Sequence, residues 1–486
     1  MSHSCTFSAL AALTILAFVS TADAQPIAAE DALWISGFEG EVIEPQFPTS
    51  NGQYVLPDYP VARQLQWLIS ELAVGENTTI TEVEQHFTSA FDASVIADFF
   101  NDNLRVNYPD AEITDLITMT PVGAVAVIDG ITGPDSSGFL QINSLYSGTE
   151  QISFLQVQNF FGTVQFPDDQ LLDLQQAVNK FEALDPQNSI FVGYIDRQGQ
   201  CRPIQQRQAM TTRGLGSVFK MWVLGGVATE LSQNQINADD TVTLVAEELG
   251  AGGTININPL GTVFSVQDMA TLMMGISDNT ATDHLHELVG RDLIGQIVEE
   301  YGVADPDLLR PFLNISEQFH VFSRFDLPTA QSYVNGSESF QQQFLVNQIE
   351  PLGSSVPEFY PFLHEDIITN GTWAASPVDI CQTLAGLYDT SEQNDAFETV
   401  DIAMGSTAAF PNIRDEWDRV WYKGGSLSSS VDDLNILANA WLLENSGDFP
   451  PYIVVGLAND TAGNIDQFAV NSVLARIVEL VRDFEP

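Results

Sequence analysis

The chain has 486 residues, more than one ordinary domain holds and a comfortable length for two. Hydrophobic residues make up 44% of it, enough to bury a large core, which excludes disorder as the default state. Its 65 acidic residues against 16 basic ones give a net charge of −49, and a surface of that sign repels nucleic acid and anionic membranes. Adaptation to salt, with the excess charge screened at high ionic strength, accounts for such a coat; attraction of cationic ligands is the lesser reading.

A polar start, Met1 to Thr6, leads into an apolar stretch from Phe7 to Val19 and then the small-x-small pattern Ala22-Asp23-Ala24. This reads as an export signal over residues 1–24, too short to span a bilayer, although no Lys or Arg precedes it. The expected location is therefore periplasmic or extracellular, with no membrane segment in the mature chain. Residues 25–60 are rich in Pro, Gly and acidic side chains and read as an irregular lead-in. Val61, Leu65, Leu68 and Leu72 mark an amphipathic helix, and two helical stretches follow at 81–91 and 94–104. The period then becomes strand-like at 122–128, 139–145 and 152–158, between Gly, Asp and Ser turns. Helices then strands predict a smaller α+β domain over 25–166.

A second unit, 167–486, opens with a helix at 168–184 and a strand at 190–195. It closes with strands at 420–423, 434–440 and 453–457 and a last helix carrying Val470, Val473, Leu474, Ile477, Val481 and Phe484 on one face. The middle reads mainly helical. An antiparallel sheet flanked by terminal helices, with a helical insertion, is the expected fold, so the whole is α+β. In the insertion, Phe359, Tyr360 and Phe362 read as core rather than substrate contacts. Cys201 and Cys381 either form one disulfide or stay free, and spacing leaves both open. His284 and His286 lie two apart on a helix and face different ways, so no metal site or cofactor is expected.

Only three lysines occur, Lys180, Lys220 and Lys423. Lys180 reads as an ordinary surface residue. Lys220 closes Ser217-Val218-Phe219-Lys220, and residues three apart on a helix share a face, so hydroxyl and amine can meet. Ser217 follows Gly214-Leu215-Gly216, a turn that places it at a helix start, where the dipole favours negative charge. The helix continues through Met221-Trp222-Val223-Leu224, apolar on every side. A lysine buried there is costly unless neutral, and a neutral amine is a general base. A lone Ser-x-x-Lys is most often only a helix cap followed by a surface lysine. Two further motifs change that balance: Ser277-Asp278-Asn279, sixty residues on, and Lys423-Gly424-Gly425-Ser426 at a strand end. Alone, these too read blandly, as a helix cap and a glycine turn.

In this order the three motifs resemble Ser-x-x-Lys, Ser-Asp-Asn and Lys-Thr-Gly of the serine β-lactamase and penicillin-binding-protein superfamily, in particular its class A β-lactamase-like members. The run Ser277 to Leu285 and the stretch Thr372-Trp373-Ala374-Ala375-Ser376-Pro377-Val378-Asp379 are also similar to that family, and the resemblance covers about 168–486. It implies that Ser217 attacks an acyl carbonyl, Lys220 takes its proton and Ser277 relays a proton to the leaving group. It further implies that Asn279, Lys423, Gly425 and Ser426 bind substrate, with the N–H groups of Ser217 and Ser426 as oxyanion hole. The implied substrate is a small acyl compound: a β-lactam, an ester or a cell-wall peptide.

Two departures stand out. Lys423-Gly424-Gly425 lacks the usual Thr, with Ser426 the nearest hydroxyl to take its place. In Arg310-Pro311-Phe312-Leu313-Asn314 the chain keeps Leu313 and Asn314 of the family's Glu-x-x-Leu-Asn but has Arg310 where the water-activating Glu would stand; Glu317 is close but out of register. Slow deacylation is the consequence, which keeps an esterase, a D-Ala-D-Ala peptidase and a non-catalytic ligand sensor in view. The layout further resembles two-domain β-lactamase-like hydrolases with an N-terminal isomerase-like domain, such as one encoded among clavulanic acid biosynthesis genes.

Overall fold

The computed structural model describes residues 43–73, 75–129, 137–159, 166–354, 363–391, 396–447 and 449–484. The export signal and the aromatic residues Phe359, Tyr360 and Phe362 lie outside them. Residues 37–486 form one compact unit.

The helix Pro60–Ala73 buries Val61, Leu65, Leu68 and Leu72 as their spacing predicts. With the short helices Ile80–His86 and Ala93–Phe99 it covers one four-stranded antiparallel sheet, formed in chain order by Ile113–Met119, Gly123–Ile128, Gly138–Ser144 and Ile152–Asn159. The first of these strands was not foreseen. Two register irregularities, at Ile113/Asp115 and Leu116/Thr118, break the alternation by which a strand is recognised. This edge strand continues beyond its own sheet: Met119 N donates to Ser406 O (2.8 Å) and Ala408 N to Ile117 O (2.9 Å), with Thr118 and Thr407 joined through their buried hydroxyls.

The second sheet is five-stranded and antiparallel. Arg419–Leu427 lies at one edge, followed by Ile436–Glu444, Tyr452–Asn459, Ser189–Ile195 and Cys201–Arg207. The two central strands Ile436–Glu444 and Tyr452–Asn459 are buried along their whole length, because both faces are covered. One face packs the helices Leu174–Leu184 and Gln467–Val481, which meet through Val178, Phe181, Val473, Leu474 and Ile477. The other packs the helical region, centred on Lys220–Ser232.

Two details sharpen the sequence reading. Cys201 and Cys381 are joined in a disulfide, tying the sheet's edge strand to the helix Pro377–Ser391. Lys180 is not an ordinary surface residue: its ammonium pairs with the fully buried Asp169, whose other oxygen accepts from Ser472 Oγ at 2.6 Å. A carboxylate buried between two terminal helices needs that charge, which is why this lysine stands where it does.

Candidate active site

Ser217 lies in the 3-10 turn Gly216–Phe219 that runs straight into the buried helix Lys220–Ser232. Gly216 has φ of +50°, and a Cβ on it would sit 2.6 Å from Ser426 N. A Cβ on Gly425 would sit 2.6 Å from Ser217 N and 2.2 Å from Leu215 O. The turn carrying Ser217 and the edge strand thus pack backbone against backbone, and only glycine allows it. This is the reason for glycine at 216 and 425, and it brings the N–H groups of Ser217 and Ser426 into one neighbourhood.

The helix buries Met221, Trp222, Val223 and Leu224 around Lys220, which is itself fully buried. Its Nζ donates to Ser277 O (2.6 Å) and Asn279 Oδ1 (2.7 Å) and lies 3.2 Å from Ser277 Oγ. Burial pushes the Lys220 ammonium down from its ordinary value to about 7, against the pull of Asp278 and Asp283. A neutral amine has two N–H donors and one lone pair. Two carbonyl-type acceptors take both donors here, so the lone pair is left for a hydroxyl.

Ser277 has φ of +57°, a left-handed conformation rare outside glycine, between the helices Val266–Gly275 and Asn279–Val289. Asp278 holds the turn: its carboxylate accepts from Ala281 N (2.8 Å), as helix cap, and from Ile255 N (3.0 Å). Asn279 Nδ2 donates to Ala251 O at 2.6 Å, which fixes the amide so that its oxygen faces Lys220. From the opposite side Lys423 Nζ donates to Ser277 Oγ (3.0 Å) and Gly424 O (2.7 Å). Burial, and then the neighbouring Lys220, hold the Lys423 ammonium well below its usual range. Two of the three lysines therefore converge on one serine hydroxyl, a chain along which a proton can pass.

Gly425 is buried and Ser426 exposed beside this cluster. The remaining sequence candidates lie elsewhere. The Arg310 guanidinium bonds Glu299 Oε2 (2.8 Å) and Asp307 Oδ1 (3.4 Å). Asn314 and Glu317 form a reciprocal capping box on the helix Ile315–Phe319. The second Glu317 oxygen accepts from Arg291 Nη2 at 2.6 Å. Both oxygens of Glu317 are thus already engaged.

Three features carry no motif and escaped sequence reasoning. Asp283, fully buried, accepts from Ile315 N (2.8 Å) and Ser316 N (3.0 Å), pinning that same short helix to the Ser277 side of the site. Trp373 stacks on Phe219, which lies between Ser217 and Lys220 in the chain, with ring centroids 3.7 Å apart, and its carbonyl accepts from Leu215 N at 3.0 Å. Glu248 sits among Glu247, Glu287 and Glu317, and burial together with those charges lifts its carboxyl to about 7. Asp283 and Trp373 do lie in the two family-like runs quoted above, which was the available signal. Among the described residues no cluster of His, Cys, Asp and Glu is built to hold a metal.

Residues 173–343 match the model of the β-lactamase enzyme family. This match spans about a third of the chain, and the fold as a whole is α+β. Among solved structures the chain is similar to a β-lactamase from Chitinophaga pinensis, with 17% identity over 63% of this chain and 97% of that one and a TM-score of 0.43. It is similar also to a β-lactamase from Xanthomonas campestris pv. campestris, with 13% identity over 64% and 98% and a TM-score of 0.42. A third is a penicillin-binding protein, PBP-A, captured as an acyl-enzyme with penicillin G, with 13% identity over 62% and 94% and a TM-score of 0.40. No curated protein matches the chain.

Proposed function

We propose that the protein is an exported serine hydrolase that acts through an acyl-enzyme on β-lactams or esters. The observation that carries this reading is the convergence of buried Lys220 and Lys423 on the Ser277 hydroxyl, with Ser217 in the turn that leads into the Lys220 helix. Ser217 Oγ attacks the acyl carbonyl and neutral Lys220 receives its proton. The proton passes through Ser277 to the leaving nitrogen or oxygen, and the N–H groups of Ser217 and Ser426 stabilise the oxyanion. Lys423 holds Ser277 in place and, with Asn279 and Ser426, receives the substrate's polar groups. Intact-mass spectrometry after incubation with benzylpenicillin and with p-nitrophenyl acetate tests it. A single acyl adduct is expected on the natural chain and none on Ser217→Ala; labelling of that variant at the natural rate overturns the assignment.

One observation favours a second reading, a penicillin-binding D-Ala-D-Ala peptidase. Arg310 occupies the place of a deacylating Glu, and both oxygens of Glu317 are engaged. A long-lived penicillin adduct together with D-alanine release from a pentapeptide supports it. No adduct and no turnover with any of these compounds supports a ligand sensor instead. The division into an N-terminal isomerase-like part, 25–166, and a hydrolase part, 167–486, belongs to the same proposal; the first sheet's own core supports it, while Val122 and Tyr146 pack into the core of the second part.

A further inference from the structure

The chain around the proposed acylating site is poor in positive charge. No lysine or arginine stands between Lys423 and Arg476, a stretch that holds the end of the edge strand Arg419–Leu427 and the strands Ile436–Glu444 and Tyr452–Asn459. The loop after the edge strand carries Asp433 and exposed Asp432 instead. Two arginines close in sequence to the site are committed elsewhere. Arg419 pairs with Asp401 and Glu444, and Arg213 donates to Ser189 Oγ (2.9 Å) and Gln208 Oε1 (2.8 Å). Lys423 is only 2% exposed, and its nitrogen donates to Ser277 Oγ and Gly424 O. Two acceptors take both donors of a neutral amine, and burial holds this one well below its usual range, so it is a weak counter-charge. A hydroxyl at 424 would stand beside it, but there is no room for one. A Cβ on Gly424 would lie 2.2 Å from Tyr422 Oη. The phenol is fixed there by donating to Asn439 Oδ1 at 2.7 Å, and Asn439 is the cross-strand partner of Gly424.

We infer that the acyl donor taken by this site is an uncharged ester, with no carboxylate near the scissile bond. The inference rests on the acyl-enzyme reading above and narrows it. Where the turn meets the edge strand, the donors proposed for the substrate are neutral: the N–H groups of Ser217 and Ser426 and the exposed Ser426 hydroxyl. They suit the carbonyl oxygen of an ester and a second uncharged oxygen. A carboxylate brought against them would shed water without gaining a full counter-ion, in a molecule that carries −49. In the reaction Ser217 Oγ bonds the acyl carbon, the bond from that carbon to the alcohol oxygen breaks, and the Ser217 proton leaves on the alcohol. Water then releases the acid. Carboxylated donors, penicillins and D-Ala-D-Ala peptides among them, become the slower substrates.

Methyl 3-acetoxybenzoate and 3-acetoxybenzoate share the acetyl group and the phenolic leaving oxygen and differ in one charge, so they serve as probes. Release of the phenol by the full chain is followed in 1 M KCl, where a screening length of about 3 Å removes the long reach of the acidic coat. Each kcat/KM is divided by that ester's own rate of alkaline hydrolysis in the same salt. The corrected value should be higher for the methyl ester by roughly tenfold or more. Ser217→Ala should lose cleavage of both. Tyr422→Leu combined with Gly424→Thr sets a hydroxyl beside Lys423 and should narrow the preference by roughly 2- to 10-fold, one hydrogen bond's worth. Ser217-dependent cleavage with equal corrected values, a preference for the acid, or a preference seen only at low salt would each overturn the inference and leave the acyl-enzyme reading standing. An unchanged preference in a folded double variant would do the same. Cleavage of neither ester, or equal cleavage by Ser217→Ala, would overturn both.

Discussion

At the scale of single residues, the most informative side chain is Lys220. In the proposed mechanism its ammonium, held at about 7, sets the pH dependence of the acylation step. Acylation by benzylpenicillin should fall about tenfold per pH unit below 7 and level off above it, because only the neutral amine accepts the Ser217 proton. A profile flat from pH 5 to 8 would remove Lys220 from that role. The same depression has a cost in stability. Between pH 7 and about 10, the unfolded lysine carries a proton that the folded one does not, so stability should rise with pH across that window. The slope difference between the natural chain and Lys220→Met, read from denaturant unfolding between pH 7 and 9, should approach 1.4 kcal/mol per pH unit. The sequence made this residue legible through the burial of its neighbours, and made Ser277 and Lys423 legible through motif order. It did not reveal the left-handed backbone of Ser277 or the clamp by Asp283, because both depend on contacts with chain far away in sequence.

At the scale of elements, the segment after Arg310 departs most from what its motif led one to expect. Glu317, a candidate stand-in for the missing carboxylate, instead closes a capping box and an ion pair. Glu317→Gln keeps the box, since Gln serves equally at that position. It should therefore leave the lifetime of a penicillin adduct unchanged, as followed by mass spectrometry over time. A markedly longer lifetime would restore Glu317 as the water-activating base. Asn314→Ala should cost about 1 kcal/mol through loss of the cap, visible as a lower midpoint in urea. The closing strands and last helix were legible because both sheet faces are covered and the apolar pattern is strong. The strand Ile113–Met119 was not, because its two irregularities scramble the alternation.

At the scale of the whole molecule, one covalent link and one overall charge set the stability. The Cys201–Cys381 disulfide closes a loop spanning 180 residues. Replacing both cysteines by serine should cost about 3–5 kcal/mol, measured by denaturant unfolding, if restriction of the unfolded chain dominates. The spacing alone could not decide this pairing, because closeness in space is a property of the packed sheet edge and helix. The charge of −49 acts in the opposite direction through self-repulsion. Raising KCl from 0.1 to 1 M shortens the screening length from about 10 to 3 Å and should raise the melting temperature. A melting temperature independent of salt would mean that the acidic coat exerts no net strain on the fold.

The hydrogen bonds of Met119 and Ile117 to Ser406 and Ala408 carry a further implication, for how such a protein can be rearranged. They join the outer strand of one sheet to chain from the other half, so neither side is finished without its neighbour. A fragment beginning at residue 167 would leave the backbone of 406–408 open as a template for another strand, and would bare the Asp268 carboxylate that now accepts from the Tyr146 hydroxyl at 2.6 Å. Grafting residues 167–486 onto a different partner would therefore require a replacement for that missing strand. The seam ties the two sheets into one structural unit.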